Sequence, residues 1–173
     1  MASVAPKEVI ISRTINAPRE IVFEAFTNAE HVAKWFGPRI FTATAESDPR
    51  IGGEYRFTMY GNAGVPPEYS GPFPMKGKYL EIIRPERIVH SADLSEHSDD
   101  WKNILRSNIA NYNGQDFLHM VMTITFEEIE PNKTKVTIKD KFDSDEVRDA
   151  YLKMGMKEGW AESFDKLDEL LKK

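Results

Sequence analysis

Apolar and polar positions alternate along most of the chain, which predicts a series of strands interrupted by helices. Residues 7–15, with the run Val9-Ile10-Ile11, suit a strand. A helix is predicted from Pro18, placed at its first position, with Glu20 at the third near the positive end of the dipole. Ile21, Val22, Ala25 and Phe26 form its apolar face. A break at Thr27-Asn28 precedes a second short helix over 29–35, stopped by Gly37-Pro38. Strands follow at 41–47 and 54–60, the latter with Tyr55, Phe57 and Met59 on one face. Between them Asp48-Pro49-Arg50-Ile51-Gly52-Gly53 reads as a turn. Residues 61–74, rich in Gly and Pro, read as a loop, and strands at 77–83 and 88–92 flank the turn 84–87.

Residues 93–116 break the strand series. Trp101, Ile104, Leu105, Asn108 and Tyr112 recur at helical spacing, which predicts an inserted amphipathic helix near 100–112. Residues 117–128 place Leu118, Met120, Met122, Ile124 and Phe126 on one face, and residues 134–142 place Val136 and Ile138 opposite lysines. Alternation puts Asp140 on the Val136 face, but its nearness to the strand end predicts a solvated carboxylate. Ser144 can cap a C-terminal helical region. Gly155 and Gly159 weaken its first part, so the main helix is expected to begin near Lys157, with a stripe of Trp160, Phe164, Leu167 and Leu171. The order predicts one α+β domain over residues 1–173, a curved antiparallel sheet wrapped around the last helix.

Composition narrows the function. The net charge of −5 argues against a nucleic-acid partner, which needs a basic face. Cysteine is absent, which excludes disulfides and thiolate chemistry. His31, His90, His97 and His119 lack the spacing of metal ligands, so neither metal nor cofactor is expected. No apolar run approaches the ~20 residues of a membrane span, and the N-terminal residues lack a signal-like apolar region; a cytoplasmic location is the expectation. No nucleophile elbow, Walker or dinucleotide motif occurs, so no catalytic residue is assigned.

The string Ala17-Pro18-Arg19-Glu20-Ile21-Val22-Phe23-Glu24-Ala25-Phe26-Thr27 resembles the opening of the START-like helix-grip superfamily. It is most similar to the branch named after the C-terminal domain of the activator of the heat-shock-protein-ninety ATPase. Trp35-Phe36-Gly37-Pro38, the turn from Asp48 to Gly53, Gly77-Lys78-Tyr79, Pro85-Glu86-Arg87-Ile88-Val89 and Gly159-Trp160 continue the resemblance in order. It implies the helix-grip fold, with two short N-terminal helices and a cavity between sheet and C-terminal helix. It implies no single activity. Relatives commonly join the strand of Val89 to the next by a short segment, so the long insert at 93–116 is a departure.

On this reading Phe26, Trp35, Tyr55, Phe57 and Met59 are cavity candidates, joined by Met120, Met122, Trp160 and Phe164. Trp101, Ile104 and Leu105 are candidates for a lid. The expected function is binding of a small apolar molecule by a monomer or homodimer. One alternative is a co-chaperone-like module regulating the chaperone ATPase through an outer face. Another is a cavity enzyme of hydrolase or cyclase type, with Asp140 or His119 as its acid or base.

Overall fold

The computed structural model describes residues 2–172, in which eight antiparallel strands form one curved sheet. In chain order the elements are β1 (Ala2–Ala5), β2 (Glu8–Ile15), α1 (Arg19–Thr27), α2 (Ala29–Trp35), β3 (Phe41–Ser47) and β4 (Glu54–Gly61). Then come β5 (Phe73–Ile83), β6 (Arg87–Asp93), α3 (Asp99–Ser107), β7 (His119–Glu130), β8 (Lys133–Lys141), α4 (Asp145–Lys153) and α5 (Met156–Leu171). The sheet order is β1-β2-β8-β7-β6-β5-β4-β3. The helix-grip arrangement expected from the sequence is therefore present.

Local chemistry fixes the boundaries. The Asn28 side chain accepts from the Glu30 and His31 amides at 2.9 and 3.4 Å, starting α2 one residue after α1 ends. Pro18 is the cap of α1 rather than its first helical residue. Ser98 caps α3 and Ser144 caps α4, each hydroxyl accepting an amide three residues on. The two C-terminal helices separate at Gly155, whose φ of 92° is the left-handed conformation that glycine adopts freely. Gly159 lies inside α5 against Pro38. The insert helix stops at Ser107, short of the expected 112, and Ile109 beyond it is buried.

Three expectations change. β1 has little strand signal in its small residues, yet it pairs with β2 through a turn in which Lys7 has φ 61°. β5 begins at Phe73, inside the expected loop, because β6 ends opposite Lys76 and earlier residues pair with β4 alone. Pro74 is tolerated on such a one-sided strand. Ile21 is 50% exposed and leaves the apolar face of α1 to Val22, Phe23, Ala25 and Phe26.

The core fills the concave face of the sheet. α1 packs on β7 and β8, α2 on β3 and α5, and α5 on β2. The Thr134 hydroxyl donates to the Ala17 carbonyl at 2.8 Å, tying β8 to the start of α1. Arg13 of β2 reaches the Ala161 carbonyl and Asp165 of α5 at 3.2 and 2.8 Å. Gly77 of β5 lies against the backbone of β6: a Cβ there would collide with the Ser91 carbonyl oxygen. Gly77→Ala is expected to cost about 2 kcal/mol by forcing the strands apart. Denaturant unfolding measures this, and an unchanged midpoint would show that the strands part freely.

Candidate functional site

Inward-facing residues of adjacent strands form a continuous row across the sheet. Tyr79 of β5 pairs with His90 of β6, His90 with Met122 of β7, Met122 with Asp140 of β8, and Asp140 with Val9 of β2. Tyr55 and Phe57 of β4 extend the same face, and all of these side chains are buried. Trp160 of α5 packs against this face with Trp35 and Phe36, at ring-centroid distances of 6.4 and 6.3 Å.

Between sheet and α5 the aromatic, Met and His side chains of this face enclose a cavity of about 20 Å³, which Val9 and Asp140 do not line. That is room for one water molecule. Of the residues proposed from the sequence, Phe26, Trp35, Tyr55, Phe57, Met122 and Trp160 line it. Met120 is buried farther along the sheet beside the outer groove. Phe164 is buried behind Trp160, their rings 5.6 Å apart, with the Arg13 guanidinium over its face. Met59 is half-buried and packs on Gly37, outside the lining. Tyr79 and His90 also line the cavity. Their signal was present, since Ile88, His90 and Ala92 alternate inward along β6.

Asp140 corrects an expectation. It is 2% exposed, because β8 continues to Lys141 and pairs with β2 and β7 on its two sides. Its Oδ1 has no hydrogen-bond partner among the described residues. Burial pushes its pKa well above the usual carboxylate range, so it holds its proton. The nearby phenols do not satisfy it. The Tyr55 hydroxyl donates to the Ser91 carbonyl at 2.6 Å, and the Tyr151 hydroxyl donates to the Phe117 carbonyl. Burial raises both phenol pKa values.

Two histidines are also buried. His90 places Nδ1 3.0 Å from the Ser91 carbonyl, which makes that nitrogen the donor and leaves Nε2 unprotonated. Burial lowers its pKa to about 4. His97 lies between Phe73 and Trp101, with ring centroids 5.3 and 4.1 Å away. Burial lowers its pKa to about 4 as well, and the Pro74 carbonyl opposes this without reaching hydrogen-bond geometry. Neither His97 nitrogen has a partner among the described residues.

The lid candidates divide. Leu105 is fully buried, Trp101 is half-buried against His97 and Tyr151, and Ile104 points to solvent. Helix α3 therefore closes this end of the core with Trp101 and Leu105.

A larger concavity lies elsewhere. An open groove of about 790 Å³ follows the polar face of the sheet from β3 to β8. Arg56, Lys76, Lys78 and Lys141 line it together with five carboxylates, those of Glu46, Glu54, Asp93, Asp116 and Asp143. Glu96 bridges Arg56 and Lys76, and those hydrogen bonds lower its pKa to about 2. Lys78 and Lys141 make no ion pair among the described residues. His119 alternates with Met120 and so faces this groove, not the core, with Nδ1 3.1 Å from Asp116 and Nε2 3.4 Å from Asp93. That removes it as an inward acid or base. Among the described residues no three His, Asp or Glu side chains converge on a metal-sized site. No helix among them is long and apolar enough to cross a membrane.

The chain is similar in structure to a protein from Nitrosomonas europaea, with a TM-score of 0.72 at 24% identity over 95% of this chain and 94% of that one. A protein from Chromobacterium violaceum gives 0.68 at 25% identity over 96% and 98%. One from Arthrobacter aurescens gives 0.76 at 21% identity over 99% and 90%. No curated protein matches the chain. The pattern of the family described as activator of Hsp90 ATPase homolog 1-like protein matches residues 16–172, nearly the whole chain, and the chain belongs to that family.

Proposed function

We propose that this chain is a ligand-binding helix-grip domain whose pocket is nearly closed in the conformation described and widens when α3 moves. The supporting observation is the cavity between sheet and α5, lined by aromatic, Met and neutral His side chains. Met75, Met122 and Trp160 can change rotamer to enlarge it. α3 covers the neighbouring end of the core through Trp101 and Leu105, so the insert controls access.

A titration with a naphthalene-based fluorophore tests the reading. Saturable binding is expected, weakened about 10-fold by Trp160→Ala, which removes one wall. No saturable binding, or equal binding by the variant, would sink it.

The outer groove supports a second reading, a protein-interaction module acting on a chaperone ATPase. Its two unpaired lysines suit an acidic partner surface. Stimulation of an Hsp90 ATPase, abolished by Lys78→Glu with Lys141→Glu, is the expected result; no stimulation and no co-elution would rule it out.

A further inference from the structure

Resting on the ligand-binding reading, we infer that Asp140 is the polar anchor of the pocket and selects an apolar molecule carrying a carbonyl-type oxygen. The residues around it lead to this step by step. A buried carboxyl that serves the fold is held by a cation or by several N–H donors. Asp140 has neither: its Oδ1 is unpartnered among the described residues, and the Tyr55 and Tyr151 protons are committed to backbone carbonyls. The strand position itself asks only for a small apolar side chain, since its neighbours across the sheet are Val9 and Met122.

The location matches a ligand site. Asp140 lies one strand beyond the cavity wall: its neighbour Met122, and His90 next to that, line the cavity, so an opening that moves Met122 exposes the carboxyl. Phe142, two residues along the chain from Asp140, lies against Tyr151 of α4 with ring centroids 4.9 Å apart, and Trp101 of α3 is the next ring outward, its centroid 6.3 Å from that of Tyr151. Movement of α3 with Trp101 thus uncovers the Asp140 end of the core. Among the described residues no cation faces Asp140, and burial keeps it neutral, so its O–H is a donor in need of an acceptor. A ketone, ester or amide oxygen supplies one. An amine would have to ionise the acid in an apolar setting, which desolvation opposes.

Three matched probes test the inference on the full chain: 2-acetylnaphthalene, its hydrocarbon isostere 2-isopropenylnaphthalene, and 1-(2-naphthyl)ethylamine. The expected result is that the acetyl probe binds about 10-fold more tightly than the hydrocarbon. Asp140→Val should erase that preference while leaving hydrocarbon affinity within about 2-fold. Asp140→Asn, whose amide keeps an N–H donor, should retain it. Equal affinities in the wild type, a preference surviving Asp140→Val, or a preference for the amine would each overturn the anchor and leave the pocket standing. Failure of all three probes to bind would overturn the pocket reading, and the anchor with it.

Discussion

Trp35→Ala is expected to lower stability by about 4 kcal/mol. Trp35 is 1% exposed and joins α1, α2 and α5. Its ring lies 4.7 Å from Phe26, 6.1 Å from Phe36 and 6.4 Å from Trp160, and its Nε1 donates to the Ala25 carbonyl at 2.9 Å. The substitution removes the largest fully buried side chain, leaves a void, and strips the Ala25 carbonyl of its donor. The helices cannot collapse to fill the void, because α2 is held on β3 and α5 is tied to β2 through Arg13. The denaturant midpoint measures the loss, with the slope unchanged if unfolding stays two-state. A loss under about 2 kcal/mol would mean that this junction lies outside the cooperative core.

The elements most legible from sequence were those where one residue type does one job. Leu118 to Phe126 alternate because β7 has one face on the core and one on solvent. Ser144 caps α4 as read, because its oxygen accepts the Val147 amide in place of a missing backbone acceptor. Legibility failed where tertiary context decides. β1 consists of small residues that carry no pattern, and it forms because Arg148 and Asp145 of α4 hold the Ala5 carbonyl and the Lys7 amide. Ile21 belongs to an apolar helical pattern, yet it is half exposed while Val22 and Phe23 beside it are buried. At the site, the aromatic lining was readable as a set, but the remaining volume was not, since it depends on side-chain directions to a fraction of an ångström. Asp140 was placed on the correct face and given the wrong environment, because a strand's pairing partners are distant in sequence. The orphaned state of His97 was beyond a sequence reading for the same reason, as it depends on Phe73 folding over it from a segment that reads as loop.

Asp140→Val is expected to stabilise the protein near neutral pH by about 1–3 kcal/mol and to steepen its loss of stability in acid. The first effect follows from removing a buried, unpartnered carboxyl from a strand that favours valine. The second follows from proton counting. His90 and His97 titrate near pH 4 when folded and near 6.5 when unfolded. Between those values the unfolded chain binds two more protons than the native state, so stability falls as pH falls. Asp140 acts in the opposite sense: its folded pKa lies well above the unfolded value of 3.8, so the native state holds a proton that the unfolded chain has released. With Asp140 protonated across this window, these three groups leave a net difference of about one proton, about 1.4 kcal/mol per pH unit. Without Asp140 the difference becomes two, about 2.7 kcal/mol per pH unit. The exposed Glu96, titrating near 2, acts largely below the window. Urea titrations between pH 4.5 and 6.5 separate the two slopes. Parallel lines for wild type and variant would mean that Asp140 is ionised in the native core, and a neutral acid could no longer be the donor that grips a carbonyl. A steeper line for the more stable variant would instead mark Asp140 as a group kept at the expense of stability, the pattern expected of a residue retained for binding.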